Sequence, residues 1–151
     1  CGNNNNNDQS KNTDTASANT TPVKAIDTPS ATAPVVSYSH KADLKDPKPG
    51  DRVTLLLNFD RYEEGDYAHT IFEEPNSADV EWDFGHPSEN KFGDIPIVLT
   101  DEKSGWGYKT NPAYVNKRFI VTAQYTNLDG NDVDGKPIKY QDWRVISMKP
   151  E

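Results

Sequence analysis

The chain has 151 residues, a formal charge of −8, 33% hydrophobic residues and a single cysteine. The acidic balance repels phosphate backbones, so nucleic acid is not an expected partner; no internal disulfide can form, and no run approaches the ~18 apolar residues of a membrane-crossing helix. Length alone suggests one domain, but the hydrophobic fraction is low for a continuous globule of this size, so part of the chain is expected to stay unfolded.

That part is at the front. Residues 1–37, CGNNNNNDQSKNTDTASANTTPVKAIDTPSATAPVVS, hold no aromatic residue, few aliphatics and an excess of Asn, Thr, Ser, Ala and Pro. Such a stretch cannot bury enough apolar surface to offset its ordering entropy and is expected to be a disordered tether. All aromatic residues (3 Trp, 7 Tyr, 5 Phe) lie from Tyr38 onward, so residues 38–151 are expected to form a single β-rich globular domain. Two lysines against three aspartates leave −1 on the tether and −7 on the domain.

The position of Cys1 admits four readings: a cytosolic thiol, a reactive nucleophile, a residue left by cloning, or a lipid-attachment site. A nucleophile needs a neighbouring base and an enclosing wall, which the polar run after Cys1 does not supply. Cys1 and Gly2, followed by the Asn/Ser/Thr-rich spacer, resemble the mature N-terminus of a bacterial membrane lipoprotein. The resemblance covers the tether and none of the domain. It implies removal of a signal peptide ahead of Cys1, acylation of Cys1 by chains such as palmitate, and residence in the bacterial cell envelope. Gly2 and Asn3 put no acid directly after the cysteine, which in enteric-type sorting implies the outer membrane; a Gram-positive host would keep the protein on its plasma membrane. Buried acyl carbon is worth about 0.8 kcal/mol per CH2, and two or more chains are needed for stable anchoring. As a flexible coil the tether would reach about 35 Å root-mean-square, and about 120 Å if pulled straight.

Beyond the turn cluster "DPKPGD", "RVTLLLNF" sets Val53, Leu55, Leu57 and Phe59 on one face and Thr54, Leu56 and Asn58 on the other, which predicts a half-buried strand. "DYAHTIF" (66–72) and "ADVEWDF" (78–84) predict two more, with "YEEGD" (62–66) read as a solvated turn before them. "HPSENKFGD" reads as loop and "IPIVLT" (95–100) as a short strand that Pro96 places at an edge or a strand start. "TNPAYVNK" (110–117) predicts one helical turn capped by Asn111 with Pro112 in first position. "RFIVTAQYT" and "KPIKYQDWRVISMK" predict a closing hairpin with "NLDGNDVDG" (127–135) as its tip. In the return strand the apolar set moves from Ile138 and Tyr140 to Trp143 and Val145, which predicts a β-bulge near Gln141 and Asp142. Short bent strands in this order suggest an all-β fold, a small five- or six-stranded barrel similar to the OB type, with a β-sandwich as the alternative.

Chemistry is sparse. The acids of "NLDGNDVDG" do not follow the calcium-loop pattern: counted from Asp129 the sixth residue is Asp134 and the twelfth Tyr140, where Gly and a bidentate acid are required. His40, His69 and His86 lack zinc spacing and read as exposed or hydrogen-bonded, and no catalytic motif occurs. "SGWGYKT" sets Trp106 between two glycines with Tyr108 nearby; the indole either plugs a barrel end or stays exposed for a sugar ring, a base or a protein partner. Trp82 and Trp143 read as core. Trp106 and Tyr108 are therefore the candidate contact residues, with no metal and no cofactor expected. The expected function is a non-enzymatic binding or interaction module of the envelope, an accessory subunit with the bilayer and an envelope protein as partners. The alternatives are a carbohydrate-binding barrel and an enzyme acting on envelope polymers.

Overall fold

The computed structural model describes residues 37–151; Cys1 and the expected tether as far as residue 36 lie outside the described residues. The alternation of Leu55, Leu57 and Phe59 is realised in β1 (Arg52–Glu64), where all three are fully buried. β2 (Ala68–Glu74) and β3 (Ser77–Asp83) follow as antiparallel neighbours. β4 (Val98–Thr100) and β5 (Tyr108–Thr110) form a separate two-stranded sheet, and β6 (Arg118–Asn131) and β7 (Pro137–Pro150) make the long closing hairpin. β6 returns to pair with β1, so the large sheet runs β3-β2-β1-β6-β7. The fold is all-β, and among the described residues no helix is long and apolar enough to cross a membrane.

The expected five- or six-stranded barrel is not closed: β3 and β7 are the edges of the large sheet and no ladder joins them. Loop side chains occupy the interior instead. Phe84, Phe92 and Ile97, all from the stretch between β3 and β4, are buried against Phe59, Phe72, Trp82, Phe119 and Val121. The same stretch reaches the β7 edge, where Lys91 N donates to the Val145 carbonyl at 2.9 Å and Val145 N donates to Asn90 Oδ1 at 2.8 Å. A peptide segment thus meets the hydrogen-bonding need of β7 at the point where a neighbouring strand would lie.

Several local expectations are corrected. The hairpin tip is shorter than 127–135, because Asn127 to Asn131 are paired in β6, and Asp132 Oδ1 closes the turn by accepting from Asp134 N and Lys136 N. The bulge lies later than Gln141 and Asp142: Thr122 pairs with Ser147 and Ala123 with Val145, which leaves Ile146 as the extra residue. A second bulge at Asp60 shifts burial in β1 from Phe59 to Tyr62, so the "YEEGD" stretch begins as strand and turns only after Glu64. Asn111 does cap, its Oδ1 accepting from Ala113 N at 3.1 Å, but residues 112–116 make turns and no helix, with Asn116 left-handed at φ 65°.

Candidate functional site

Residues 138, 140, 142 and 144 of β7 share one face of the strand, opposite Trp143 and Val145. That face forms one wall of an open cleft of about 510 Å³. The rest of the lining comes from Tyr67 and the start of β2 (Ala68, His69) and from the end of β3 onward (Asp83, Gly85, His86, Glu89). Trp106 reaches in from the β4–β5 connection. Ile138 and Tyr140, whose parity suggests a bulge, are 40% and 37% exposed in this wall, so no bulge is needed to account for it.

Arg144 is the buried charge of the cleft, with 7% of its side chain exposed. Its Nε and Nη2 both lie 2.9 Å from Glu89 Oε2, and its Nη1 donates to Asp142 Oδ2 at 3.3 Å and to the Trp143 carbonyl at 2.7 Å. Gly85 makes room for it: a Cβ there would stand 2.8 Å from Arg144 Nη2, and the residue is left-handed at φ +71°. Gly130 does the same for Tyr140, whose ring would lie 2.9 Å from an added Cβ. Also in the lining, His69 Nδ1 donates to Asp83 Oδ2 at 2.6 Å, and Asp83 Oδ1 accepts from Gly85 N at 2.8 Å.

Trp106 is held by a residue far from it in sequence. The Glu64 carboxylate, at the end of β1, accepts from the Ser104 hydroxyl, from Gly105 N at 3.1 Å, from Trp106 N at 3.2 Å and from the Tyr62 hydroxyl at 3.0 Å. These donors, Ser104 first, hold the Glu64 carboxyl below its ordinary range, overcoming the opposing effect of desolvation. Burial, together with the neighbouring Glu64 charge, pushes the Tyr62 phenol up. The Ser104 hydroxyl oxygen in turn accepts from the N–H groups of Trp106, Gly107 and Tyr108. Glu64→Ala is expected to make the amides of Gly105 and Trp106 exchange with solvent about tenfold faster, with little change in the denaturation midpoint, because the loop opens locally and Glu64 covers no core. Hydrogen-exchange mass spectrometry reads the first and urea denaturation the second.

Trp106 and Tyr108 therefore do come together, around His86. Its ring stands at 70° to Trp106 (5.9 Å) and at 83° to Tyr108 (5.5 Å). Only Trp106 lines the cleft; it keeps 43% of its surface exposed and does not plug an interior, while Tyr108 is half-buried against Tyr62. Trp82 is core, and Trp143 packs half-buried against it at 6.1 Å. The histidines are hydrogen-bonded, to Glu74, Asp83 and Ser88.

Of the described residues, Asp60, Glu73 and Glu81 have ligand atoms close enough for a cation, but Arg61 is already there, bonded to Asp60, to Glu63 at 2.8 Å and to Glu81 at 3.1 Å. Burial, then the charges of Asp60 and Glu81, push the Glu73 carboxyl up.

No family model, curated protein or solved structure matches the chain. The functional reading therefore rests on the residues themselves.

Proposed function

We propose that the chain is an envelope lipoprotein, held at the outer membrane through acylated Cys1, whose β domain is a non-enzymatic binding module that works through the Trp106 cleft. One observation carries the module reading. Of the six large hydrophobic residues that stand exposed among the described residues, four (Tyr67, Trp106, Ile138 and Tyr140) line this single cleft. Scattered exposed apolar residues are ordinary, but their concentration in a concave surface with fixed polar groups is the signature of a binding site. The anchor is supported by Cys1, Gly2 and the spacer that follows. The finer, OB-like reading of the fold is supported by the strand order: a three-stranded meander whose first strand also pairs with the final hairpin, as in such a barrel opened along one seam.

A second reading, an enzyme acting on an envelope polymer, is favoured by the His69–Asp83 pair, a histidine oriented by a carboxylate within a cleft. Both readings are tested on protein recovered from native membranes in detergent. Mass spectrometry should find an acyl mass on Cys1 and a companion or ligand that is retained by the native chain and lost from Trp106→Ala. A bare thiol at Cys1 overturns the anchor, and retention that does not depend on Trp106 overturns the cleft. Turnover of isolated envelope polymer that is abolished in His69→Ala transfers the assignment to the enzyme.

A further inference from the structure

Resting on the binding-module reading, we propose that the cleft takes a neutral oligosaccharide, one pyranose ring lying on Trp106 and its hydroxyls donating to Glu89, Asp142 and Asp83. The flat surface is preorganised. Three backbone or side-chain donors of the 104–106 segment converge on Glu64, so the indole is positioned before any ligand arrives. Because His86 meets Trp106 at 70°, it supports the indole without stacking flat against it. A sugar ring, with an apolar face and a polar rim, needs such a plane beside fixed acceptors.

The acceptors are carboxylates already held in place by hydrogen bonds within the lining. Arg144 spans Glu89 and Asp142, and His69 holds Asp83. Arg144 engages only Oε2 of Glu89, so Oε1 remains as a directional acceptor on a side chain that is one-third exposed (33%). Asp142 is 45% exposed, and each of its oxygens accepts a single hydrogen bond, from Arg144 Nη1 and from Trp143 N.

Charge and polarity then choose among ligands. An anionic ligand meets four carboxylates in the lining (Asp83, Glu89, Asp129, Asp142) against the single guanidinium of Arg144, which is turned inward and spent. A cationic ligand would compete with Arg144, with His69, and with Lys139, whose Nζ sits 2.6 Å from Asp129. A wholly apolar chain would strip water from Glu89 and Asp142 and return no donors. A neutral polyol offers donors, asks for no counter-charge, and has an apolar face for Trp106, Tyr67 and Tyr140. The volume of about 510 Å³ falls within the range of small-molecule sites and leaves room for a short oligomer.

The test is calorimetric and fluorescence titration of the 151-residue chain with neutral trimers (β-1,4-linked glucose, β-1,4-linked N-acetylglucosamine, α-1,4-linked glucose), with trigalacturonate as the anionic counterpart and with trilysine. At least one neutral trimer should bind with a Kd below about 10 mM, with trigalacturonate about tenfold weaker or more. Trp106→Ala and Tyr67→Ala should each weaken that binding, the first about tenfold or more, with unchanged thermal midpoints. Glu89→Gln should weaken it by a smaller factor. No binding by any neutral trimer overturns the glycan assignment. Trp106-dependent binding of trilysine in their place also overturns it, yet leaves the module reading standing, as does a protein companion lost from Trp106→Ala in the membrane experiment. Cleavage of a bound trimer keeps the ligand class and overturns the non-enzymatic reading.

Discussion

Phe72→Ala is expected to destabilise the domain by about 3–5 kcal/mol, the range for truncating a fully buried aromatic side chain. Phe72 sits on the middle of three consecutive strands, opposite Phe59 of β1 on one side and Trp82 of β3 on the other. Its ring meets Phe59 edge-on at 5.3 Å and Phe84 edge-on at 5.6 Å, and approaches Phe92 at 6.3 Å. Phe59 and Trp82 are held by strand ladders and cannot move in to fill the space. Phe84 and Phe92 are loop residues that reach the interior only because the aromatic cluster receives them, so the substitution also loosens the segment that stands in for a strand along β7. Urea denaturation gives the free-energy change, with Leu99→Ala, at an exposed position (37%), as the control expected to change stability by less than about 0.5 kcal/mol. A loss below about 1.5 kcal/mol for Phe72→Ala would mean that the cavity collapses and that the cluster is not a rigid core.

How far the sequence discloses this architecture depends on the range of the interaction concerned. Leu55, Leu57 and Phe59, or Phe119, Val121 and Ala123, declare a buried face because alternation is local and the pleat repeats every second residue. Trp82 as core follows from the same rule. Bulges are harder to read. The extra residues Asp60 and Ile146 are fixed by where the partner strand runs, and a parity change looks the same whether the strand bulges or its other face carries apolar residues to a cleft, as Ile138 and Tyr140 do. Barrel closure fails for a reason no window of sequence contains: Phe84, Phe92 and Ile97 occupy the interior from a loop, and Asn90 and Lys91 satisfy β7. At the candidate site the glycines around Trp106 announce an unusual loop. Glu64, 42 residues earlier, gives no local sign that its carboxylate holds that loop, and Arg144 lies among apolar residues of β7 with its partner Glu89 55 residues away.

The second large effect concerns Glu74, whose side chain is only 8% exposed and accepts from Lys41 N at 2.7 Å, His40 Nδ1 at 3.0 Å and Trp82 Nε1 at 3.1 Å. This carboxylate ties the segment before β1 to the sheet and satisfies the indole N–H of a Trp that is 2% exposed. Glu74→Ala should cost about 2–4 kcal/mol, because a buried donor is left unpaired and charge-assisted hydrogen bonds are lost, whereas Glu74→Gln, which keeps one acceptor, should cost about 1–2 kcal/mol. Burial works to raise the Glu74 carboxyl, but the hydrogen bonds from Lys41 N, His40 and Trp82 prevail and hold it below its ordinary value of 4.5. The folded state therefore binds fewer protons at this site than the unfolded chain does. The contribution of Glu74 is complete above pH 4.5 and is lost as pH falls through the lowered folded value. Glu73 next to it is shifted the other way, so its contribution is complete below 4.5 and is lost as pH rises. Both native and variant chains keep Glu73, so its effect drops out when they are compared at equal pH. The gap in unfolding free energy between native and Glu74→Gln protein should narrow progressively as pH falls below about 4.5. A gap that stays constant into strong acid would mean that Glu74 binds protons alike in the folded and unfolded chains, with burial cancelling the effect of its three donors.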